Sequence, residues 1–274
     1  MLPSDVEARV AAIASDLESG ASELTVRALE VFEVLLPVDP SAKALEELAG
    51  KLAAAQPNMA SVRNVAHLCA RLVAGSANPL AALREIRREL SGAHERIARN
   101  ALEAIPGKPT VVTLSRSLAV TAILKSLQSR RRLAQVFVLE SKPGREGRRS
   151  VAELTAGGIP AKLVADDLGT SLVRRCDVVL TGADTVLLDG TLVNKVGTHD
   201  LALAAEAAGK PFYSACETLK IDSLRTAQTF APPEPTTDVG GEVYFDLTPA
   251  QFVTAFITDK GVFEPKNIAR VWLL

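Results

Sequence analysis

The chain has 274 residues, 47% hydrophobic and 23% charged, and 31 Lys plus Arg balance 32 Asp plus Glu to a formal net charge of -1. The length points to two domains, and the composition excludes disorder and a small disulfide scaffold. Near-neutrality and 4% aromatic residues argue against a nucleic-acid partner, which needs cations for phosphates and rings for stacking.

The first hundred residues read as helices. Ser4-x-x-Glu7 predicts a capping box at the first start. Leu24, Ala28, Val31 and Leu35 recur at helical spacing, with Arg27 and Glu30 off that face. Pro37 and Pro40 break the chain and Ser41 caps the next helix; Pro57-Asn58 breaks it again, with Asn58 as the cap of a helix over 59–73. A long helix over 79–104 carries charges of alternating sign, the pattern of a solvated face. Pro106-Gly107-Lys108-Pro109 ends it and separates a helical domain, 1–106, from a second domain, 107–274. There, short β-branched runs at Thr110–Ser115, Gln135–Glu140, Ala161–Ala165, Asp177–Gly182 and Phe212–Cys216 alternate with helical stretches at 117–128, 147–157 and 199–208. That alternation predicts an α/β fold, a Rossmann-like parallel sheet covered on both faces. A Pro-rich loop at 231–236 leads to a further strand, Glu242–Leu247, and Pro249 opens a last helix capped by Thr248.

Three cysteines, Cys69, Cys176 and Cys216, lie outside metal-ligand spacing, and an odd count suits a reducing compartment. Three scattered histidines, His67, His94 and His199, give no metal site, and no cofactor is expected. With no basic leader and no apolar run of spanning length, the expectation is a cytoplasmic protein with no membrane partner.

In open α/β sheets, ligands bind beyond the carboxyl ends of the strands. Three segments there carry chemistry. The first, Glu140-Ser-Lys142-Pro-Gly-Arg145-Glu-Gly-Arg148-Arg149, sets four cations around two glycines ahead of a helix. It is a candidate phosphate site, though a solvated basic loop reads the same way. The second, Thr181-Gly-Ala-Asp184, offers a carboxylate for proton transfer or sugar hydroxyls, where a helix cap is the plainer reading. The third is Asn194-Lys195-Val-Gly197-Thr198. It reads as a tight turn bearing a cation, with Thr198 capping the next helix. The dinucleotide fingerprint and the P-loop are both missing, which removes simple dehydrogenases and NTPases. Cys216 also ends a strand on this side, but a free Cys is more often a small buried hydrophobe.

These segments resemble one superfamily: the alpha, beta and delta subunits of translation initiation factor 2B, methylthioribose-1-phosphate isomerase and ribose-1,5-bisphosphate isomerase. The likeness lies in Gly182-Ala-Asp184, Asn194-Lys-Val-Gly-Thr198 and Pro211-Phe-Tyr-Ser-Ala-Cys-Glu-Thr-Leu-Lys220. It continues in Glu140-Ser-Lys-Pro with Glu146-Gly-Arg148, in Phe245-Asp-Leu-Thr-Pro249, and in Ile257-Thr-Asp-Lys-Gly261. Upstream, Ser19-Gly20-Ala21-Ser22 and Pro57-Asn-Met-Ala60 with Arg63-Asn64 are similar to its helical-domain motifs. The resemblance implies a helical domain, a Rossmann-like domain, a pocket between them that takes a phosphorylated sugar or nucleotide, and a homodimer formed through the second domain. It implies ligand-binding roles for Gly20, Ala21, Arg63, Lys142, Arg145, Arg148, Asn194, Lys195 and Gly197. In the isomerases a Cys within T-H-C works with the Asp of G-A-D. Here T-H-C reads Thr113-Leu114-Ser115, so the catalytic candidates are Asp184 and Ser115, and a hydroxyl is a far poorer acid or base than a thiol. Gln56 replaces an expected arginine, and Lys142 replaces the arginine of E-S-R-P, which keeps the charge but loses bidentate recognition. Two functions follow: a non-catalytic, regulatory ligand-binding protein, or a sugar-phosphate aldose–ketose isomerase.

Overall fold

Five helices open the chain: α1 (Ser4–Ala14), α2 (Ala21–Leu35), α3 (Ala42–Ala55), α4 (Ala60–Ala74) and α5 (Pro79–Ala104). The computed structural model describes residues 2–16, 18–230 and 243–273, and its contacts divide the chain into two units, Met1–Ala93 and His94–Leu274. In the first unit the predicted apolar stripe of α2, Leu24, Ala28, Val31 and Leu35, is buried with Val10 and Ile13 of α1, Leu45, Leu48 and Leu52 of α3, and Val65 and Cys69 of α4. Each large aliphatic side chain so placed stabilises the bundle by about 1.5–3 kcal/mol.

Ser41 caps α3 as expected, its hydroxyl accepting from Ala44 N at 3.3 Å. The capping box at Ser4 does not form. Ser4 is already helical, Pro3 stands at the cap without a side-chain hydrogen bond, and a proline has no N–H for a returning Glu7 carboxylate to accept. Glu7 pairs with Lys51 of α3 instead. Asn58 lies one residue too early to cap α4, where Met59 takes the cap position.

The second unit contains β1 (Thr110–Thr113), α6 (Leu118–Ser129), β2 (Gln135–Leu139), α7 (Glu146–Ala156), β3 (Ala161–Val164), α8 (Gly169–Val173) and β4 (Val178–Thr181). Then come β5 (Thr185–Val186), β6 (Leu192–Lys195), α9 (Thr198–Ala207), β7 (Phe212–Ala215), β8 (Phe245–Thr248), β9 (Ala255–Thr258) and β10 (Gly261–Phe263). A seven-stranded sheet runs in the order β10-β9-β7-β4-β1-β2-β3, parallel except for β10. Alternate residues of the central strands face opposite sides, as period-2 geometry requires. Val111, Val136, Val138 and Leu180 pack with Ile97, Ala98 and Ala101 of α5 and with α6 and Leu154 of α7. Val112, Leu139, Val179 and Phe256 pack with Val173 of α8 and Leu201, Ala202 and Ala205 of α9.

Three expectations are corrected here. The strand expected at Glu242–Leu247 is β8. It leaves the parallel sheet for a small antiparallel one, β5-β6-β8, built over Leu187, Val193 and Phe230. The loop at 231–236, like Glu242 itself, lies outside the described residues. The helix expected after Pro249 is a single 3-10 turn, Ala250–Phe252, with Pro249 as its extended cap. The buried run Ala255-Phe-Ile-Thr258 then pairs with β7 as β9. Asn194 and Lys195 belong to strand β6 rather than to a tight turn, and Gly197, not Thr198, is the cap of α9.

Candidate functional site

The sheet grows outward from β1 on one side and from β4 on the other, so these two neighbours flank the point where strand order reverses. A crevice at the carboxyl ends of such a pair is the usual ligand position in open α/β sheets. Ser115 lies just beyond β1 in the left-handed region, φ 59°, and its amide donates to Ser141 Oγ at 2.6 Å. The amides of Ser141 and Lys142 donate to the two oxygens of Asp166, at 2.7 and 2.9 Å, which ties together the ends of β1, β2 and β3. Beyond β4, a Cβ on Gly182 would stand 2.7 Å from Ser117 Oγ, and the Gly182 carbonyl accepts from Ser214 Oγ at 2.9 Å. Glycine is thus what lets β4 close onto the start of α6.

Three of the four cations of the basic loop gather on Glu140, while Arg149 pairs with Glu153 at 3.2 Å. Arg148 Nη2, Lys142 Nζ and Arg145 Nε stand 2.6, 3.6 and 3.9 Å from the Glu140 carboxylate. The hydrogen bond from Arg148, with Lys142 and Arg145 behind it, holds the Glu140 carboxyl below the ordinary carboxylate range. The loop joins α7 through Gly147, whose hypothetical Cβ would lie 1.8 Å from the Leu139 carbonyl oxygen.

The same unit holds a partly buried charge cluster. Lys195, 2% exposed, pairs with Glu146 Oε1 at 3.1 Å and lies 3.4 Å from the centroid of the Tyr244 ring. The Tyr244 hydroxyl donates to the same Glu146 oxygen. Lys220 Nζ is 3.2 Å from Glu217 Oε2, and Glu217 Oε1 is 2.7 Å from His94 Nε2. Burial pushes the Asp184 carboxyl up to about 6, against the pull of Lys220 and Lys195 and with the help of Glu146 and Glu217. Burial lowers the Lys195 pKa, while Glu146 and Asp184 oppose it. An acid that titrates near neutrality can give or take a proton and can accept from hydroxyls when ionised.

Segment 194–198 finds its polar partners within itself and in Asp246 of β8. Asn194 Nδ2 donates to Thr198 Oγ1 at 3.0 Å, and Thr198 Oγ1 donates to the Lys195 carbonyl at 2.5 Å. The amides of Gly197 and His199 donate to Asp246 Oδ2 at 2.8 and 3.0 Å. Cys216 is fully buried, and desolvation pushes its thiol up to about 12; a thiol that stays protonated is no substitute nucleophile or base.

Gly20, Ala21 and Arg63 belong to the first unit. Gly20 caps α2 and donates its amide to Glu23 Oε2 at 3.2 Å. Ala21 is buried, and its carbonyl accepts from Thr25 Oγ1 at 2.7 Å. Arg63 lies on α4, half-buried beside Asn64. Gln56 donates from Nε2 to the carbonyls of Ile13 and Asp16, at 2.8 and 3.3 Å, so this departure from the expected arginine braces the end of α1.

Sequence reasoning quoted Glu146, Glu217 and Lys220 inside its motifs without assigning them roles. Nothing in local pattern singles out His94 or Tyr244.

A parallel sheet with a reversal between β1 and β4, and a charged rim at its carboxyl ends, defines an open α/β protein of the Rossmann-like class. Residues 17–265 match the Initiation factor 2 subunit family, and the chain belongs to it. An eIF-2B subunit 2-like protein of Pyrococcus abyssi is 31% identical over 90% of this chain and 88% of its own length. A methylthioribose-1-phosphate isomerase of Heliobacterium modesticaldum is 33% identical, over 63% of this chain and 58% of its own length. A ribose 1,5-bisphosphate isomerase of Archaeoglobus fulgidus is 32% identical, over 57% of this chain and 54% of its own length. The crystal structure of translation initiation factor eIF-2B from Pyrococcus horikoshii OT3 superimposes with a TM-score of 0.87 at 28% identity, covering 96% of this chain and 98% of that one.

Proposed function

We propose that this protein binds a phosphorylated sugar or nucleotide without turning it over, in a regulatory role. The observation that carries the reading is the chemistry of the strand ends. Position 115 holds a hydroxyl, and the thiol that also ends a strand, Cys216, is buried with its pKa pushed up to about 12. Other groups of the same unit are suited to holding a ligand: Lys142, Arg145 and Arg148 for a phosphate, Asp184 for sugar hydroxyls, and Asn194, Lys195 and Gly197 as further contacts. Gly20, Ala21 and Arg63 are proposed as ligand contacts of the first unit, on the likeness of their motifs.

A second reading, a sugar-phosphate aldose–ketose isomerase, is favoured by one observation, the Asp184 carboxyl near 6. In that reading Asp184 moves the proton and Ser115 polarises the substrate.

Thermal shift with ribose 5-phosphate, ribose 1,5-bisphosphate, methylthioribose 1-phosphate and adenosine monophosphate tests the binding claim. At least one of them raises Tm in a dose-dependent way, because a ligand that binds only the folded state stabilises it. Arg148→Ala weakens that shift. No shift with any of the four contradicts the reading.

A further inference from the structure

Charge is divided unevenly about the first turn of α7. Lys142, Arg145 and Arg148 set three cations against one carboxylate, Glu140, and their side chains are 59%, 58% and 61% exposed. The buried side is the reverse. There three carboxylates, Asp184, Glu146 and Glu217, act with two cations, Lys195 and Lys220, which pair with Glu146 and Glu217 respectively. Lys195 is already occupied, with Glu146 at 3.1 Å and the Tyr244 ring at 3.4 Å, and its side chain is 3% exposed. The second Glu146 oxygen, Oε2, is buried without a hydrogen-bond partner among the described residues. It is an acceptor suited to a donor such as a hydroxyl and repelled by an anion.

We infer that the site takes a ligand with a single phosphate, seated on Lys142, Arg145 and Arg148, and a neutral hydroxyl-bearing end against Asp184 and Glu146, and that Tyr244 sets this preference by locking Lys195 to Glu146. The inference rests on the phosphorylated-ligand reading above and adds polarity and stoichiometry to it. A second phosphate at the inner end would bring a dianion among carboxylates and would have to displace Glu146 from Lys195. Tyr244 opposes that displacement twice, by its ring over the ammonium and by its hydroxyl on the carboxylate. Its removal leaves Lys195 able to turn to an incoming anion.

Calorimetric titration of the intact chain with ribose 5-phosphate and with ribose 1,5-bisphosphate, in wild type, Tyr244→Phe and Tyr244→Ala, tests this. The wild type binds the monophosphate more tightly by about tenfold or more. Tyr244→Ala shrinks that ratio by about tenfold, mainly by gaining affinity for the bisphosphate, and Tyr244→Phe, which keeps the ring, falls between. Equal affinity of the wild type for both ligands overturns the inference whatever the variants do. So does an unchanged ratio in Tyr244→Ala, or in Tyr244→Phe should the alanine variant fail to fold. Binding of neither ligand by the wild type removes the phosphorylated-ligand reading and this inference together, whereas binding of both with no discrimination removes the inference alone.

Discussion

Asp184 holds its place at a cost to folding. Burial pushes its carboxyl up to about 6 from an ordinary value of 3.8, so the folded state binds that proton more tightly than the unfolded state does. Below about pH 4 the group is protonated in both states and costs nothing. As pH rises from 4 through 6 its ionisation progressively destabilises the fold. Asp184→Asn therefore stabilises the protein at pH 8, by on the order of 1–3 kcal/mol in urea melts, and the gain vanishes near pH 4. A loss of stability at pH 8 would mean that the electrostatic pull of Lys195 and Lys220 outweighs burial. Gln56 makes the opposite case. Its amide satisfies the Ile13 and Asp16 carbonyls, and Gln56→Ala costs about 1–2 kcal/mol of stability, read by the same melts, because the Ile13 carbonyl loses its side-chain donor.

At the scale of elements, Gly147 is the tightest joint. A methyl group there would overlap the Leu139 carbonyl, so Gly147→Ala destabilises by about 2–4 kcal/mol and weakens phosphate binding, since α7 carries Arg148 and Glu146. A melt within 0.5 kcal/mol of wild type, a surface-like effect, contradicts that packing. The central strands were legible because they are short apolar runs bounded by turn residues. Observed β1, β2, β3, β4 and β7 fall inside the predicted ranges, shorter by one or two residues. β5 and β6 were not legible. They are held by pairings such as Thr185 with Val193 and Leu192 with Thr248, contacts distant in sequence that no local period reports. β9 was missed because Thr248-Pro249 looks like a helix start, and only the tertiary pairing with β7 makes the next apolar run a strand. Of the candidate site, the charged residues at the strand ends, Lys142, Arg145, Arg148 and Asp184, are legible in the sequence as candidates. The partners that define their electrostatics, Glu217, Lys220, His94 and Tyr244, meet only through the sheet's topology. The chain break at Pro106–Pro109 marks the end of α5, while packing divides the chain at Ala93/His94, because Ile97, Ala98 and Ala101 join the second unit's core.

For the whole molecule, family membership sets the fold and leaves the activity open, since one fold hosts both binding and chemistry. No helix among the described residues is long and apolar enough to cross a membrane. We propose, on the likeness of this chain to its family, that it self-associates through its second unit. Light scattering then gives a dimer at micromolar concentration, and a monomer at all concentrations contradicts it. The central claim, that the chain holds a phosphorylated ligand without converting it, is tested most directly by proton and phosphorus NMR of the native protein with each ligand that raises its Tm. The predicted result is bound ligand with an unchanged spectrum over hours. Appearance of a ketose phosphate, abolished in Asp184→Asn, would contradict the claim and establish the isomerase.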